Sequence, residues 1–446
     1  MKIPSLPGFD QEAFTKYFMN AGWLIVARAG SLFIKMIITA IAIPNYLGNS
    51  LNGVLNYPLV LVTFFMAACT LGMDSFVTRQ LLQHPDQHRV VLGTAFRLRL
   101  ISGIMALPLI YLTYFLIGRF AAEAPAAPFE YVAIVSLVCV AQSVNVIDSY
   151  FQARVQGKYI MYAQVGANLL SAGIKLALVV FRAPIEWFVW MLLGDVIFLA
   201  IGYIYLYKRQ GNSISQWRFE RKMASELLRY AWPLAFSAVF VTLYMKIDQL
   251  MLDAYLGEAV LGVYSTVVSL SEGWYFIPMA IVSALFPAIM HARRDDPQRY
   301  QKRLQHLYEL MVVLSVGIAV VMTFAAPLIY RAFYTPEYAL GAGALVVHVW
   351  AGVFVFLNVA SGQYLIAEGY TLISLCRALA GAVVNISLNS WLIPRYGMIG
   401  AAYATLIAYA TTALFVIFVP KARKQGWMML GALLFIPLIG RLVKRR

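Results

Sequence analysis

The sequence predicts an all-α integral membrane protein of about twelve transmembrane helices. Hydrophobic residues make up 61% of the chain and charged residues 12%, whereas a soluble domain has about a quarter of its residues charged. Apolar stretches of about 20 residues, long enough to cross a hydrocarbon core about 30 Å thick, recur along the whole length. A transmembrane barrel would instead show alternating segments of about ten residues, so the long runs indicate helices.

We predict spans at residues 18–44, 51–74, 93–117, 129–152, 159–181, 185–207, 230–255, 259–290, 307–331, 339–366, 370–392 and 398–420. The apolar run 427–440 is shorter than a span requires, and a basic tail follows it. We therefore expect a short interfacial or hairpin segment there, and not a thirteenth span.

The distribution of basic residues predicts the orientation. With a cytoplasmic N-terminus, the outside loops hold only Arg119, Arg182, Arg331 and Arg395. The inside segments hold Arg79, Arg89, Arg154, Lys158, Lys208, Arg209, Arg218, Arg221, Lys222, Arg229, Arg293, Arg294, Arg299, Lys302, Arg303, Lys421, Arg423 and Lys424. This bias places both termini in the cytoplasm. The net charge of +15 is spread over many short loops, which does not favour nucleic-acid binding.

The chain contains an internal repeat. Tyr-Leu-Gly at residues 46–48, followed by Gly53, recurs as Tyr-Leu-Gly at residues 255–257, followed by Gly262. Both copies fall at predicted outside turns, where glycine tolerates a positive φ. We predict two six-helix lobes, 1–207 and 230–420, as parallel repeats joined by a basic cytoplasmic linker, 208–229, with a basic tail at 421–446.

Several motifs occur in the order found in bacterial polysaccharide flippases. They are Asn-Tyr-Leu-Gly at 45–48 with Gly53, Leu-Gly-Met-Asp at 71–74, residues 229–234, residues 246–252, Gly-Val-Tyr-Ser at 262–265, and residues 393–402. Together they cover nearly the whole chain. The sequence thus resembles the O-antigen and oligosaccharide flippases, whose superfamily also holds multidrug extruders and the flippases of lipid-linked peptidoglycan precursors.

The resemblance implies two lobes around a central cavity in the bacterial cytoplasmic membrane. The cavity would open alternately to either side and carry a polyprenyl-pyrophosphate-linked oligosaccharide outward for O-antigen, capsule or exopolysaccharide synthesis. The motifs do not identify the glycan. Peptidoglycan-precursor flippases usually have two further helices, and no clear pair follows residue 420. We expect membrane lipids, the lipid-linked glycan and other polysaccharide-assembly proteins as partners.

Polar residues inside the spans form stripes at helical spacing, which a wet cavity explains better than contact with lipid. In the first predicted span Arg28, Ser31 and Lys35 share one face without an acid, so they could hold a pyrophosphate group. Further candidates for the cavity are Lys175, Lys246, Arg377 and Asn385.

Structural roles remain open for several of these residues. Lys246 could pair with Asp253 through Gln249, and Arg377 could extend to the membrane interface. Arg28 and Lys35 could instead pair with Asp248 or Asp74. Asp195 is best explained as a packing hydrogen-bond site.

No nucleotide-binding loop is present in the sequence, so we expect a secondary transporter without a cofactor. Asp74, Asp248 or Glu272 could carry a coupling ion, H⁺ or Na⁺. The nearest alternative is a multidrug or organic-cation antiporter of the same fold, which would have an acid-lined cavity. A membrane-embedded polysaccharide polymerase is a second alternative. It is disfavoured because the outside loops are short and the five histidines lack metal-ligand or triad spacing, so we expect no enzyme and no metal site.

Overall fold

This computed structural model describes residues 36–120 and 125–436, together with Gly30 and Ile34. All regular elements among these residues are helical. After a π-helical turn at Met36–Ala42, the helices are α1 Ile43–Cys69, α2 Asp74–Gln83, α3 His88–Phe120, α4 Phe129–Ser136, α5 Val138–Ala141, α6 Val146–Ala153, α7 Gly157–Val180, α8 Ile185–Arg209, α9 Arg221–Leu256, α10 Glu258–Glu272, α11 Phe276–Asp295, α12 Pro297–Phe333, α13 Gly341–Ala367, α14 Thr371–Leu414 and α15 Arg423–Leu433.

Within the described part of the chain, nine helical stretches are long and apolar enough to cross a membrane. Two of them, Ile37–Gln83 and Thr371–Phe418, are interrupted by glycines with non-helical backbone angles, Gly48 and Gly397. The predicted span 259–290 appears as two helices, α10 and α11. The stretch Thr371–Phe418 therefore holds two predicted spans, 370–392 and 398–420, and the divided span 259–290 is not among the nine. Most of the predicted span 18–44 lies outside the described residues. These three differences explain why nine stretches are found where twelve spans are predicted.

Contacts divide the chain into two compact units. Among the described residues, unit 1 comprises Phe65–Thr113 and Phe129–Ala235 with the residues before Thr39, and unit 2 comprises Thr39–Phe64, Tyr114–Pro128 and residues 236–436. The units are defined by contacts, whereas the predicted lobes 1–207 and 230–420 are sequence repeats, so the repeat assignment stays a prediction.

The core of unit 1 is rich in aromatic rings. Tyr150 and Tyr207 meet edge to face with ring centroids 5.0 Å apart, and Trp217 packs beside them and is buried. The indole Nε1 of Trp217 donates to the Tyr207 hydroxyl at 3.1 Å. Such edge-to-face pairs add about 0.5–1.5 kcal/mol beyond the burial of their area.

Trp217 belongs to the segment 208–229, which the sequence predicts as a linker. The neighbouring Arg218 donates its backbone N–H to the carbonyl of Arg89 at 3.1 Å. Glu220 donates its backbone N–H to the Thr94 hydroxyl at 3.0 Å. The linker is therefore packed onto α3 of unit 1 along part of its length.

Unit 2 is built around α12, α13 and α14. Met311 of α12 and Leu357 of α13 share one buried cluster with Met429 of α15. A second cluster surrounds the buried Tyr244 and Tyr409, where α14 presents mainly alanines. Small residues allow helix backbones to approach closely inside a membrane.

The repeated glycines take equivalent conformations in unit 2. Gly48 has φ 76° and ψ 171°, and Gly257 has φ 80° and ψ 176°. Both lie in the left-handed half of backbone space, which a residue with a Cβ rarely adopts. The expectation that glycine serves these two turns is confirmed.

Five residues after each of these turns, at Gly53 and Gly262, α1 and α10 cross in direct backbone contact. A Cβ added to Gly53 would lie 1.9 Å from the carbonyl oxygen of Glu258, and one added to Gly262 would lie 1.8 Å from that of Asn49. The buried Asn52 seals the crossing by donating its side-chain amide to the Gly262 carbonyl at 2.8 Å. Glycine is required at both positions because no side-chain atom fits.

The C-terminal apolar run forms α15, which has eleven residues, about half of what a span requires. Gln425 donates to the Tyr308 hydroxyl, and Gly426 packs directly against Ile417. The helix therefore packs on α12 as a short element. The end of the predicted segment, residues 437–440, lies outside the described residues.

We expect Gly262→Ala to destabilise the protein, because the new methyl group would overlap the Asn49 carbonyl. Overpacking of this kind costs about 1–3 kcal/mol. Thermal unfolding of the purified protein in detergent measures the effect. Gly317→Ala is the matched control, since a Cβ at this glycine meets nothing within 4 Å. Equal stability of the two variants would contradict the proposed steric requirement at the crossing.

Candidate transport site

The predicted pyrophosphate stripe of the first span, Arg28, Ser31 and Lys35, lies outside the described residues. The other seven candidate residues are all described. Among the described residues the structure contains three ion pairs, and each of them includes one of these candidates. The candidates therefore fall into two groups, those that form an ion pair and those that do not.

Lys175 is compensated inside unit 1. Its ammonium lies 2.7 Å from the Asp195 carboxylate, to which Ser171 also donates a hydrogen bond. Lys175 is buried and Asp195 is 39% exposed at its side chain. Ser171 and Lys175 of α7 thus face α8, where Asp195 is a hydrogen-bond site between the packed helices, the role predicted from the sequence.

Asp74 is also compensated inside unit 1. Its carboxylate accepts from the guanidinium of Arg99 at 2.6 Å. Asp74 is 63% exposed at its side chain, whereas Arg99 is buried. The pair joins the first turn of α2 to α3, so Asp74 neutralises a buried arginine.

Lys246 and Glu272 compensate each other in unit 2. Their charged atoms are 2.8 Å apart, and both side chains are half-buried. The pair joins α9 to the last turn of α10. The partner that helical spacing suggested for Lys246, Asp253, instead accepts a hydrogen bond from the backbone N–H of Ala126 at 3.3 Å.

Asp248 is fully buried in unit 2 and has no cation partner among the described residues. Its carboxylate accepts from the Tyr264 hydroxyl at 2.7 Å, the Thr405 hydroxyl at 2.9 Å and the backbone N–H of Gln249 at 2.9 Å. Three donors satisfy the oxygens, and Lys246, whose charge also acts on this carboxylate, forms its ion pair with Glu272 instead. A buried carboxylate in this state is poised to take up a proton or a cation.

Arg377 is the buried cation of unit 2 without a carboxylate partner in the described structure. Its guanidinium donates to the Ser361 hydroxyl at 3.0 Å and to the Asn358 carbonyl at 3.3 Å. It is 7% exposed, so its head group packs between helices. An uncompensated guanidinium is suited to a phosphate oxygen.

Asn385 lies two turns further along α14. Its side-chain oxygen accepts from the Asn389 amide at 2.9 Å. The remaining amide nitrogen of Asn385 and the remaining oxygen of Asn389 are buried without a hydrogen-bond partner among the described residues. Buried polar atoms are almost always satisfied, so these two atoms mark a place for water, an ion or substrate.

Sequence reasoning gave no role to several residues of this polar interior. Tyr264 and Thr405 complete the Asp248 site, and buried His348 hydrogen-bonds the Ser271 hydroxyl at 2.8 Å. One signal was available, because Tyr264 belongs to the Gly-Val-Tyr-Ser motif at 262–265. The ion pair of Arg99 with Asp74 could not be predicted from residue spacing, because the two residues lie on different helices.

Two relatives with curated descriptions match parts of the chain. An uncharacterized membrane protein of Bacillus subtilis, YabM, is 27% identical over 230 residues, which is 49% of this chain and 42% of YabM. The probable flippase AglR of Haloferax volcanii is 24% identical over 256 residues, which is 54% of this chain and 50% of AglR. The chain thus matches half or less of the length of these relatives.

Solved structures match nearly the whole chain. The lipid II flippase MurJ in an inward closed conformation superposes with a TM-score of 0.66 at 15% identity, covering 95% of this chain and 93% of MurJ. An outward-facing multidrug resistance MATE family transporter of the MOP superfamily gives 0.65 at 14% identity, with 93% and 96% covered. A MOP superfamily transporter from Pyrococcus furiosus gives 0.63 at 13% identity, with 92% and 96% covered.

These similarities confirm the predicted fold class, an all-helical membrane protein of about twelve helices with the fold of the MOP transporters. A family model described as polysaccharide biosynthesis protein matches residues 53–342, more than half of the chain. The chain therefore belongs to the polysaccharide biosynthesis protein family.

Proposed function

We propose that the protein is a flippase that moves a polyprenyl-pyrophosphate-linked oligosaccharide outward across the bacterial cytoplasmic membrane by alternating access. Two observations together support this most directly. The chain belongs to a polysaccharide biosynthesis family, and its fold is that of transporters. A chain of this fold contributes to polysaccharide synthesis by moving a precursor, without forming glycosidic bonds itself. The flippases AglR and MurJ among the similar proteins support the same conclusion.

The proposal includes the orientation that the basic residues predict, with both termini in the cytoplasm. It also assigns no enzymatic activity to the chain. The substrate serves surface polysaccharide synthesis, as O-antigen, capsule or exopolysaccharide.

We assign the pyrophosphate to cations whose charge no carboxylate compensates. Among the described candidates this favours Arg377 over Lys175 and Lys246, which have carboxylate partners at 2.7 and 2.8 Å. We assign Arg28 and Lys35 to the same pyrophosphate site, because the predicted helix face that they share contains no acidic residue. A guanidinium binds two phosphate oxygens at once, which fixes orientation as well as charge.

Ion coupling is assigned to Asp248. Of the three candidate carboxylates, Asp74 and Glu272 each have a cation within 2.8 Å, and a fixed cation reduces the gain from binding another. Asp248 accepts hydrogen bonds but forms no ion pair in the described structure, since the nearby Lys246 is paired with Glu272. An H⁺ or Na⁺ would therefore supply the missing charge during each cycle.

We expect Arg28→Ala, Lys35→Ala and Arg377→Ala each to lower translocation of a lipid-linked oligosaccharide in proteoliposomes by about tenfold or more. A hydrogen bond to a charged group contributes about 1.5–3 kcal/mol, and about 1.4 kcal/mol corresponds to a factor of ten. Arg119→Ala, which removes an exposed arginine from a predicted outside loop, is the matched control and should retain native rates.

The same assay separates the alternatives. Native translocation that persists in all three variants would place the pyrophosphate elsewhere. Failure of the native protein to move any lipid-linked glycan, together with efflux of small organic cations, would overturn the flippase proposal in favour of a multidrug antiporter, since the fold is shared with those transporters.

We expect Asp248→Asn to remove the dependence of transport on an imposed H⁺ or Na⁺ gradient, because an amide cannot change its charge. Asp86→Asn, which neutralises an exposed carboxylate that forms no ion pair among the described residues, is the matched control and should keep that dependence. The measurement is the initial rate in proteoliposomes with each gradient applied separately. A native rate that ignores both gradients would rule out ion coupling, and a gradient-dependent Asp248→Asn variant would rule out this carboxylate.

A further inference from the structure

A polar groove outside the transport site lies within unit 1, between α2 and the first turns of α9. Its volume is about 490 Å³, within the range of small-molecule sites. The lining residues are Phe76, Arg79, Gln80, Gln83, Lys222, Ser225, Glu226, Arg229 and Tyr230. They recur every three or four positions, so one face of each helix lines the groove.

Close packing at one end keeps the two helices in place. A Cβ on Gly72, just before α2, would lie 2.5 Å from the backbone nitrogen of Ala235 in α9. One turn further along, Phe76 and Tyr230 stack with ring centroids 5.3 Å apart and planes at 17°. The groove is therefore bounded by a backbone contact and an aromatic stack.

The groove has an excess of positive charge. Arg79, Lys222 and Arg229 form no ion pair or hydrogen bond among the described residues, and Glu226 is the one acid in the lining. Three cations around one cavity repel each other, and an anion between them would relieve the repulsion. Two guanidinium groups with free donors favour an anion with several oxygens, such as a phosphate.

The surroundings of the groove point to a lipid as the source of that phosphate. On α9, Leu228, Tyr230 and Trp232 are 42%, 60% and 50% exposed. Tyrosine and tryptophan concentrate where a span meets the head groups, and basic clusters at that depth attract anionic lipids. The positive-inside pattern predicts that this end of α9 lies at the cytoplasmic leaflet.

We propose that the groove binds the phosphate group of an anionic membrane lipid. Arg79 and Arg229 clamp the phosphate oxygens, Lys222 adds charge at the mouth, and the acyl chains lie along the exposed apolar face of α9. This site is separate from Asp248, Arg377 and Asn385, and it does not depend on which substrate the protein transports.

Native mass spectrometry of the purified full chain, titrated with phosphatidylglycerol or phosphatidylcholine, tests the proposal. We expect the native protein to retain phosphatidylglycerol at least fivefold better than phosphatidylcholine. The double variant Arg79→Gln/Arg229→Gln should lose this preference. Arg209→Gln/Arg221→Gln, which removes the same charge from exposed positions outside the groove, should keep it within twofold.

Glu226→Gln provides a test that misfolding cannot imitate. Removing the one acid of the lining should strengthen phosphatidylglycerol retention about two- to threefold, in line with the modest energy of exposed charge pairs. Equal retention of the two lipids by the native protein would overturn the proposal. Equal losses in the two charge-matched double variants would also overturn it, because they would show attraction to net charge alone.

Competition identifies the source of the phosphate. If a polyprenyl pyrophosphate displaces the bound phosphatidylglycerol at a lower concentration than further phosphatidylglycerol does, the groove is assigned to the carrier lipid. The reverse order would assign it to phospholipid. Displacement by inorganic phosphate as effectively as by either lipid would overturn the lipid assignment.

Discussion

The contact on which unit 2 most depends is the crossing of α1 and α10 at Gly53 and Gly262. Each glycine lies against a backbone carbonyl of the opposite helix, and Asn52 adds a side-chain hydrogen bond. Lipid offers no hydrophobic drive for such an association, so close packing and polar contacts supply it. The crossing brings the start of α10 against α1, and α10 in turn provides Tyr264 and Glu272 to the polar interior. The conformation of two turns thus determines where the buried charges meet.

Charge compensation then sorts the polar residues by role. Lys175, Asp74 and Lys246 each have an opposite charge within hydrogen-bonding distance, which makes them cross-links between helices. Asp248 and Arg377 are buried and form hydrogen bonds but no ion pair in the described structure. A fixed ion pair stabilises one arrangement of helices, whereas an uncompensated group changes its energy when a ligand arrives. The proposed transport chemistry is therefore assigned to the groups that form no ion pair.

The spans could be predicted from the sequence because each depends on a local property, the length of an apolar run. The predicted span 185–207 appears as Ile185–Arg209, and 339–366 as Gly341–Ala367. The partners of buried charges could not be predicted in this way. Spacing on one helix suggested Asp253 for Lys246, but the rotation of α9 against α10 presents Glu272 instead. The role proposed for Asp248 depends on its burial and on hydrogen bonds from Tyr264 and Thr405, which lie 16 and 157 residues away in the sequence.

The glycine crossing also has a meaning for the history of the chain. Gly53 contacts Glu258, and Gly262 contacts Asn49. Since these pairs occupy equivalent places in the two predicted repeats, the contact is reciprocal. Reciprocal contacts characterise the interface of a symmetric homodimer. Two copies of an ancestral half-length chain would meet through the same glycine on each copy, so one ancestral residue would have served both sides. The predicted duplication thus implies that one ancestral glycine became two, Gly53 and Gly262, each of which is now encoded separately and must be preserved for the same interface.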